Sequence, residues 1–311
     1  MQALPNCTLL EKGVTTPGSA IIGSVDLEYF HDQLGQPYGG QMLIVSNFAF
    51  STAKLTTADL GGNVSTHSWE VAFRVPLMLA WIWLNLLVED IANQRLAGSI
   101  IEDEVNKPWR PLPSHRLTQE QARDWLIVAI AAAVGSSIFL GGYTASVTLM
   151  LFIWMYNDLD GSNSGIWIRN ALNAGGLMCF SWGALATLSG GQLLPRAFTW
   201  ILVTGAIIMT TVHAQDLPDI EGDMARGRLT VPLLYGETAA RVSLAAMVMF
   251  WSVVCPLFWD ASAWGWAAST SIGSVMSVLA LQKRGQQCDE VVWKLWCLWI
   301  AALYLLPALG K

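Results

Sequence analysis

Apolar stretches of near-membrane length recur along this chain, at about 71–90, 125–140, 142–156, 166–190, 197–214, 240–259, 262–282 and 291–309. Each approaches the roughly 20 residues that a helix needs to cross a bilayer. A ninth, weaker stretch lies at about 40–60, where Ser51, Thr52, Lys54, Thr56 and Thr57 make it polar. Charged residues are 13% of the 311, about half the soluble-domain average of roughly 25%, which rules out a large soluble core. The expected fold is an all-α integral membrane bundle of about nine transmembrane helices, formed by residues 39–311 after a Gly- and Pro-dotted polar segment, 1–38.

Insertion is expected to depend on the internal helices, because Glu11, Lys12 and Asp26 interrupt any signal-like apolar run near the N-terminus. None of the five cysteines has metal-ligand spacing, and three lie in apolar runs as small buried hydrophobes. No basic tract suggests nucleic acid, and no obligate protein partner is evident.

Alternating the spans places the loops 91–124, 157–165, 215–239 and 283–290 on one face. These loops carry Arg95, Lys107, Arg110, Arg116, Arg123, Arg226, Arg228, Lys283 and Arg284, while the opposite loops offer only Arg196. The positive-inside rule puts the rich face in the cytosol, and the expected location is an internal membrane such as the endoplasmic reticulum. Solvated loops account for the cations. They do not account for the carboxylates gathered at the same end.

The densest carboxylate group is QDLPDIEGD at 215–223. Asp216, Asp219 and Asp223 are spaced i, i+3, i+7, which on a helix points them into roughly a 60° arc. Pro218 makes that arc approximate, since a helix breaks or restarts there. Like charges so close are unfavourable unless a cation joins them, and oxygen-only ligation suits Mg²⁺ carrying substrate phosphates. Arg226 and Arg228 follow, placed to meet phosphate oxygens. A second group follows the span ending near Asp90, with Asn93 and Gln94, then Glu102, Asp103, Asn106, Lys107 and Arg110. Two acidic segments approaching from different helices suit a diphosphate–Mg²⁺ complex. A third patch, YNDLDGSN at 156–163, reads as a turn, a lid or an extra metal contact. Arg169, just beyond it, either snorkels or grips a phosphate.

At these residues the chain resembles the UbiA superfamily of intramembrane prenyltransferases. DLPDIEGDMARGRLTVPLLYG (216–236) is similar to the second Asp-rich motif of that superfamily, and NKPWRPLPS (106–114) to the segment following the first. The first motif departs from the usual Asn-Asp-x-x-Asp-x-x-x-Asp: counted back from Asn106, its last Asp is Asp103, but Ser99 and Arg95 stand at the middle Asp and the opening Asn. That form, with YND at 156–158 and WIRN at 167–170, resembles the fungal membrane terpene cyclases of the superfamily. The resemblance implies nine helices around a central cavity, Mg²⁺, and a prenyl diphosphate, commonly farnesyl diphosphate, ionised and cyclised to a sesquiterpene. Asp216, Asp219, Asp223, Glu102 and Asp103 are then the expected metal ligands. Asn93, Asn106, Lys107, Arg110, Arg169, Arg226 and Arg228 are the expected diphosphate contacts.

Trp81, Trp83, Trp154, Trp182 and Trp251 are candidate cavity walls, because aromatic faces attract cations. The alternative is a prenyltransferase moving the same cation to an aromatic acceptor. A transporter or lipid-binding scaffold is a third class, disfavoured because the charges sit at one end and no internal repeat is visible.

Overall fold

In the computed structural model, residues 68–191, 193–282 and 285–310 are described. The expected polar segment 1–38, the ninth stretch at 40–60, Lys283 and Arg284 lie outside them. Eleven α-helices follow in order: α1 Ser68–Gln94, α2 Ala97–Asn106, α3 Gln119–Leu140, α4 Tyr143–Asn157, α5 Ile166–Ser189, α6 Pro195–Thr211, α7 Ile220–Arg226, α8 Val231–Tyr235, α9 Glu237–Phe258, α10 Ala263–Leu281 and α11 Gln286–Leu305. Short 3₁₀ turns stand at Gly161–Asn163, Val212–Asp216 and Leu306–Leu309. Among the described residues there is no strand, only an isolated bridge between Ala261 and Gly310.

The fold class is as expected, but the span count is not reproduced. Among the described residues, six helices are long and apolar enough to cross a bilayer: Phe73–Gln94, Gln119–Leu140, Ile166–Ser189, Pro195–Asp216, Glu237–Phe258 and Gln286–Leu309. The stretches at 142–156 and 262–282 do form helices. However, α4 has only 15 residues, about 22 Å at 1.5 Å each, and α10 is diluted by seven Ser, Thr and Gly residues along 19 positions. The remaining elements, α2, α7 and α8, are short helices between spans rather than spans themselves.

Helix α5 organises the bundle. It is apolar on several faces, so it must be covered on several faces. Its Cys179, Phe180, Ala184 and Leu188 enter one apolar cluster with α1, α3 and α4. Its Ala174 and Leu185 enter a second with α6, α9, α10 and α11. Close approach to α1 depends on glycine. A Cβ at Gly183 would lie 1.9 Å from the Trp81 ring, and one at Gly142 would lie 2.5 Å from Trp81 Nε1. Small residues let membrane helices approach in this way, and Trp81 is fully buried between them.

Caps fix where the chain turns. Thr118 and Gln121 form a reciprocal capping box at the start of α3, satisfying two amides the first turn leaves open. Gly227 takes a left-handed φ of 74° and closes α7, its N–H donating to the Asp223 and Met224 carbonyls. The chain alternates direction, so the C-terminal ends of α1, α4, α6 and α10 share one end with α2, α7 and α8. At the opposite end Trp200, Phe258 and Trp259 pack ring on ring, with the Arg196 guanidinium 4.6 Å from the Trp259 ring centroid.

Candidate active site

The charged residues of both acidic segments meet at one end of the bundle, where α2 packs on α7. The second segment is not one helix. Val212–Asp216 is a 3₁₀ turn, the chain bends through Leu217 and Pro218, and α7 starts after Asp219. Pro218 cannot donate to a continuing ladder, so the expected single arc is divided over three local structures.

Each expected ligand carboxylate is paired with an expected diphosphate contact. Arg169 grips Asp216 at 2.7 and 2.9 Å, with both side chains buried. Lys107 Nζ meets Asp219 at 2.9 Å. Arg110 Nη1 donates to both Asp103 oxygens, at 2.8 and 2.9 Å. Arg228 Nη1 bridges Glu102 at 3.0 Å and Asp223 at 3.3 Å. Arg226 reaches the other Glu102 oxygen at 3.0 Å, together with Ser99 and Ser162. Five carboxylates and five cations thus form one neutral cap. Ser99, standing where the usual motif has an aspartate, supports Arg226 instead.

Asn106, an expected diphosphate contact, also joins the two acidic segments. Its amide donates to the Asp219 carbonyl at 3.2 Å and accepts from the Gly222 N–H at 3.1 Å. It therefore brackets the start of α7 onto the end of α2. The third patch is tied down as well: Asp158 pairs with Arg95, and Asn163 accepts from the Leu229 N–H.

Below the cap lies a cavity of about 410 Å³. Of the expected residues, Asn93, Glu102, Asn106, Lys107, Arg110, Arg169, Asp219 and Arg228 line it, whereas Asp103, Asp216, Asp223 and Arg226 stand behind that lining. Its body is apolar, with Leu149, Phe152, Leu172, Phe180, Ile208 and Ile300. The candidate tryptophan walls are corrected. Trp81 is buried between helices, with Phe180 at its edge; Trp154 is half exposed on the outer surface; Trp251 bonds to Thr210; and Trp83 and Trp182 pack against the apolar clusters. The large aromatics that line the cavity include Trp109, Phe152, Tyr156, Phe180, Trp293, Trp296 and Tyr304. Trp293 and Trp296 stack at 5.0 Å, and Trp296 Nε1 is anchored on Thr211 at 2.9 Å. A sequence signal for this wall exists: Trp293, Trp296, Cys297, Ile300 and Tyr304 follow the i, i+3, i+4, i+7, i+11 stripe of one helix face.

Glu89 and Asp90 also line the cavity, though the motif spacing does not select them. Two consecutive carboxylates inside a span are unusual enough to mark them.

The electrostatics follow burial and partners. Burial pushes Asp223 up to about 7, against the pull of Arg228. Burial likewise raises Asp103 despite Arg110. Burial would also raise Glu102, but Arg228, Arg226 and Lys107 together outweigh it and hold Glu102 below its ordinary value. As the side chains stand, no three Asp, Glu, His or Cys side chains among the described residues are gathered to hold a metal ion. The donor chemistry still fits Mg²⁺: the set is oxygen-only, and Asp223 Oδ2 is buried with no hydrogen-bond partner.

A helical membrane bundle with a charged cap over one apolar cavity defines an intramembrane enzyme class, and this chain belongs to the UbiA prenyltransferase family, whose model matches residues 77–303. It is 33% identical over 181 residues to the fumagillin β-trans-bergamotene synthase of Aspergillus fumigatus, a match spanning 58% of this chain and 61% of that relative. It is 31% identical to the somaliensene A/B synthase of Streptomyces somaliensis, over 73% of this chain and 76% of that one. A digeranylgeranylglyceryl phosphate synthase of Methanobrevibacter smithii is 28% identical over 60% of this chain and 67% of that protein. Among solved structures, a UbiA homologue of Archaeoglobus fulgidus bound to GPP and Mg²⁺ superposes with a TM-score of 0.55 at 12% identity, covering 86% of this chain and 95% of that one. That likeness is one of fold.

Proposed function

We propose that this chain is a class I terpene cyclase, ionising a prenyl diphosphate with Mg²⁺, closing the resulting cation on itself and releasing diphosphate. Farnesyl diphosphate is the proposed substrate and a sesquiterpene the product. The observation that carries this reading is the neutral cap of five carboxylates and five cations directly over an aromatic-lined apolar cavity. Asp216, Asp219, Asp223, Glu102 and Asp103 would hold Mg²⁺, which supplies charge stabilisation for the departing diphosphate. Lys107, Arg110, Arg169, Arg226 and Arg228 serve the same developing charge, where preorganised donors act most strongly. Asn93 faces the diphosphate from α1, and Asn106 positions α7.

The cavity serves the second half of the reaction. Its volume lies near the low end of the roughly 300–1,000 Å³ typical of ligand sites, a size suited to one folded prenyl chain. Aromatic faces stabilise cations, and an apolar wall keeps water from intercepting them. The positive-inside rule applied to the Arg- and Lys-rich loops supports a cap on the cytosolic side, in the proposed setting of the endoplasmic reticulum.

The prenyltransferase reading is kept because relatives include synthases such as that of Methanobrevibacter smithii. Purified protein given farnesyl diphosphate and Mg²⁺, with and without an aromatic acceptor, separates the two. A volatile cyclic hydrocarbon formed without acceptor supports the cyclase. Product formed only with acceptor overturns it.

A further inference from the structure

We infer that the adjacent carboxylates Glu89 and Asp90 accept the proton whose loss ends the cation cascade, a role resting on the cyclase reading above. Both line the cavity. Among the described residues neither makes a hydrogen bond or an ion pair. This sets them apart from the other carboxylates on the lining. Glu102 is held by two arginines, Asp219 by Lys107, and Glu290 is a half-exposed residue opposite Lys294. A carboxylate whose lone pairs are occupied by a guanidinium is a poor base. Arg110, which also lines the cavity, has its Nη1 bound to Asp103.

Position along α1 supports the same role. Leu86, one turn earlier, belongs to the apolar cluster with Leu149 and Phe180, while Asn93, one turn later and nearer the cap end of α1, also lines the cavity. Glu89 and Asp90 therefore stand at the boundary between the diphosphate end and the hydrocarbon body, within reach of a folded chain rather than of its leaving group. In the final step a C–H bond next to the cationic carbon breaks, its electron pair becomes the new C=C bond, and the proton passes to a carboxylate oxygen. No oxidant or further reactant is needed.

The test uses purified full-length protein with farnesyl diphosphate and Mg²⁺, reading released diphosphate and cyclic alkene separately. Glu89→Gln, Asp90→Asn and the double variant keep side-chain shape and remove basicity. Alkene formed per diphosphate released is expected to fall by about a hundredfold or more in the double variant, with terpene alcohols or a different alkene appearing. If the double variant does not fold, the single variants give the same ratio. Alkene and diphosphate falling by the same factor, or an unchanged ratio and product, overturns the assignment. Wild-type protein that releases no diphosphate refutes the cyclase reading itself, a failure visible before any variant is made.

Discussion

Arg169 and Asp216 are both almost wholly buried, and each is the other's counter-ion. Removing one partner of a buried pair leaves an uncompensated charge, which costs about 3–5 kcal/mol, whereas replacing both by apolar groups is often neutral. Arg169→Met is therefore expected to lower the denaturation midpoint sharply. Arg169→Met with Asp216→Leu should recover most of the stability and none of the turnover; recovery of turnover would show that the pair is structural only. Glu102 supplies a pH test. Its carboxyl is held below the ordinary 4.5 by Arg228 and Arg226 in spite of burial. A depressed carboxylate stabilises the fold above its unfolded value and loses that contribution as the pH falls through the folded value. The thermal midpoint of wild type minus that of Glu102→Gln should be largest above about pH 4.5 and shrink below it; a gap that widens on acidification contradicts the pairing. These residue types were legible in the sequence, because charges confined to the loops on one side of a membrane chain invite a common explanation. Their one-to-one pairing was not, since spacing along a chain says nothing about which cation on another helix will face a given carboxylate.

The α2–α7 junction shows what an element contributes to the cap. Gly222 has no room for a side chain: a Cβ there would stand 2.2 Å from the Asn106 amide nitrogen. Gly222→Ala and Asn106→Ala should both loosen α7 from α2 and displace Asp219 and Asp223. The expected signature is a loss of turnover well beyond the shift in thermal midpoint, with the double variant no worse than the worse single, as for coupled neighbours. Additive losses would mean the bracket is not one unit. Sequence spacing suggests a helix through 216–223, and Pro218 warns that it breaks. Where the pieces lie afterwards depends on this bracket, a contact between residues more than a hundred positions apart. The tryptophan walls failed for a related reason. Aromatic residues are plentiful on lipid-facing and packed faces alike, and only the helix stripe from Trp293 to Tyr304 separates the cavity wall from the rest.

For the whole molecule, the claim is that a bundle centred on α5 encloses a ligand-sized hollow beneath a charged lid. Gly176 tests the hollow. It lines the cavity, and an added Cβ would meet nothing nearer than Leu149 at 3.8 Å. Gly176→Ala should fold at least as well as wild type, since alanine favours a helix interior by about 1 kcal/mol. Gly176→Phe should fold and yet lose about tenfold or more in farnesyl diphosphate turnover, roughly 1.4 kcal/mol of barrier, with geranyl diphosphate less affected. Equal loss for both chain lengths would place the hydrocarbon elsewhere. The membrane class and the sidedness of the charge were readable from hydropathy and loop composition, because a bilayer permits few alternatives. The cavity contour was not, because it arises from packing among helices distant in sequence. The most direct measurement is an experimental structure with Mn²⁺ and a non-ionising farnesyl thiodiphosphate, the metal located by its anomalous signal. The expected result is metal among Asp216, Asp219, Asp223, Glu102 and Asp103, diphosphate against Arg110, Arg169 and Arg228, and the prenyl chain along Trp293 and Trp296. Metal or diphosphate bound away from this cap, with the cavity empty, would contradict the account.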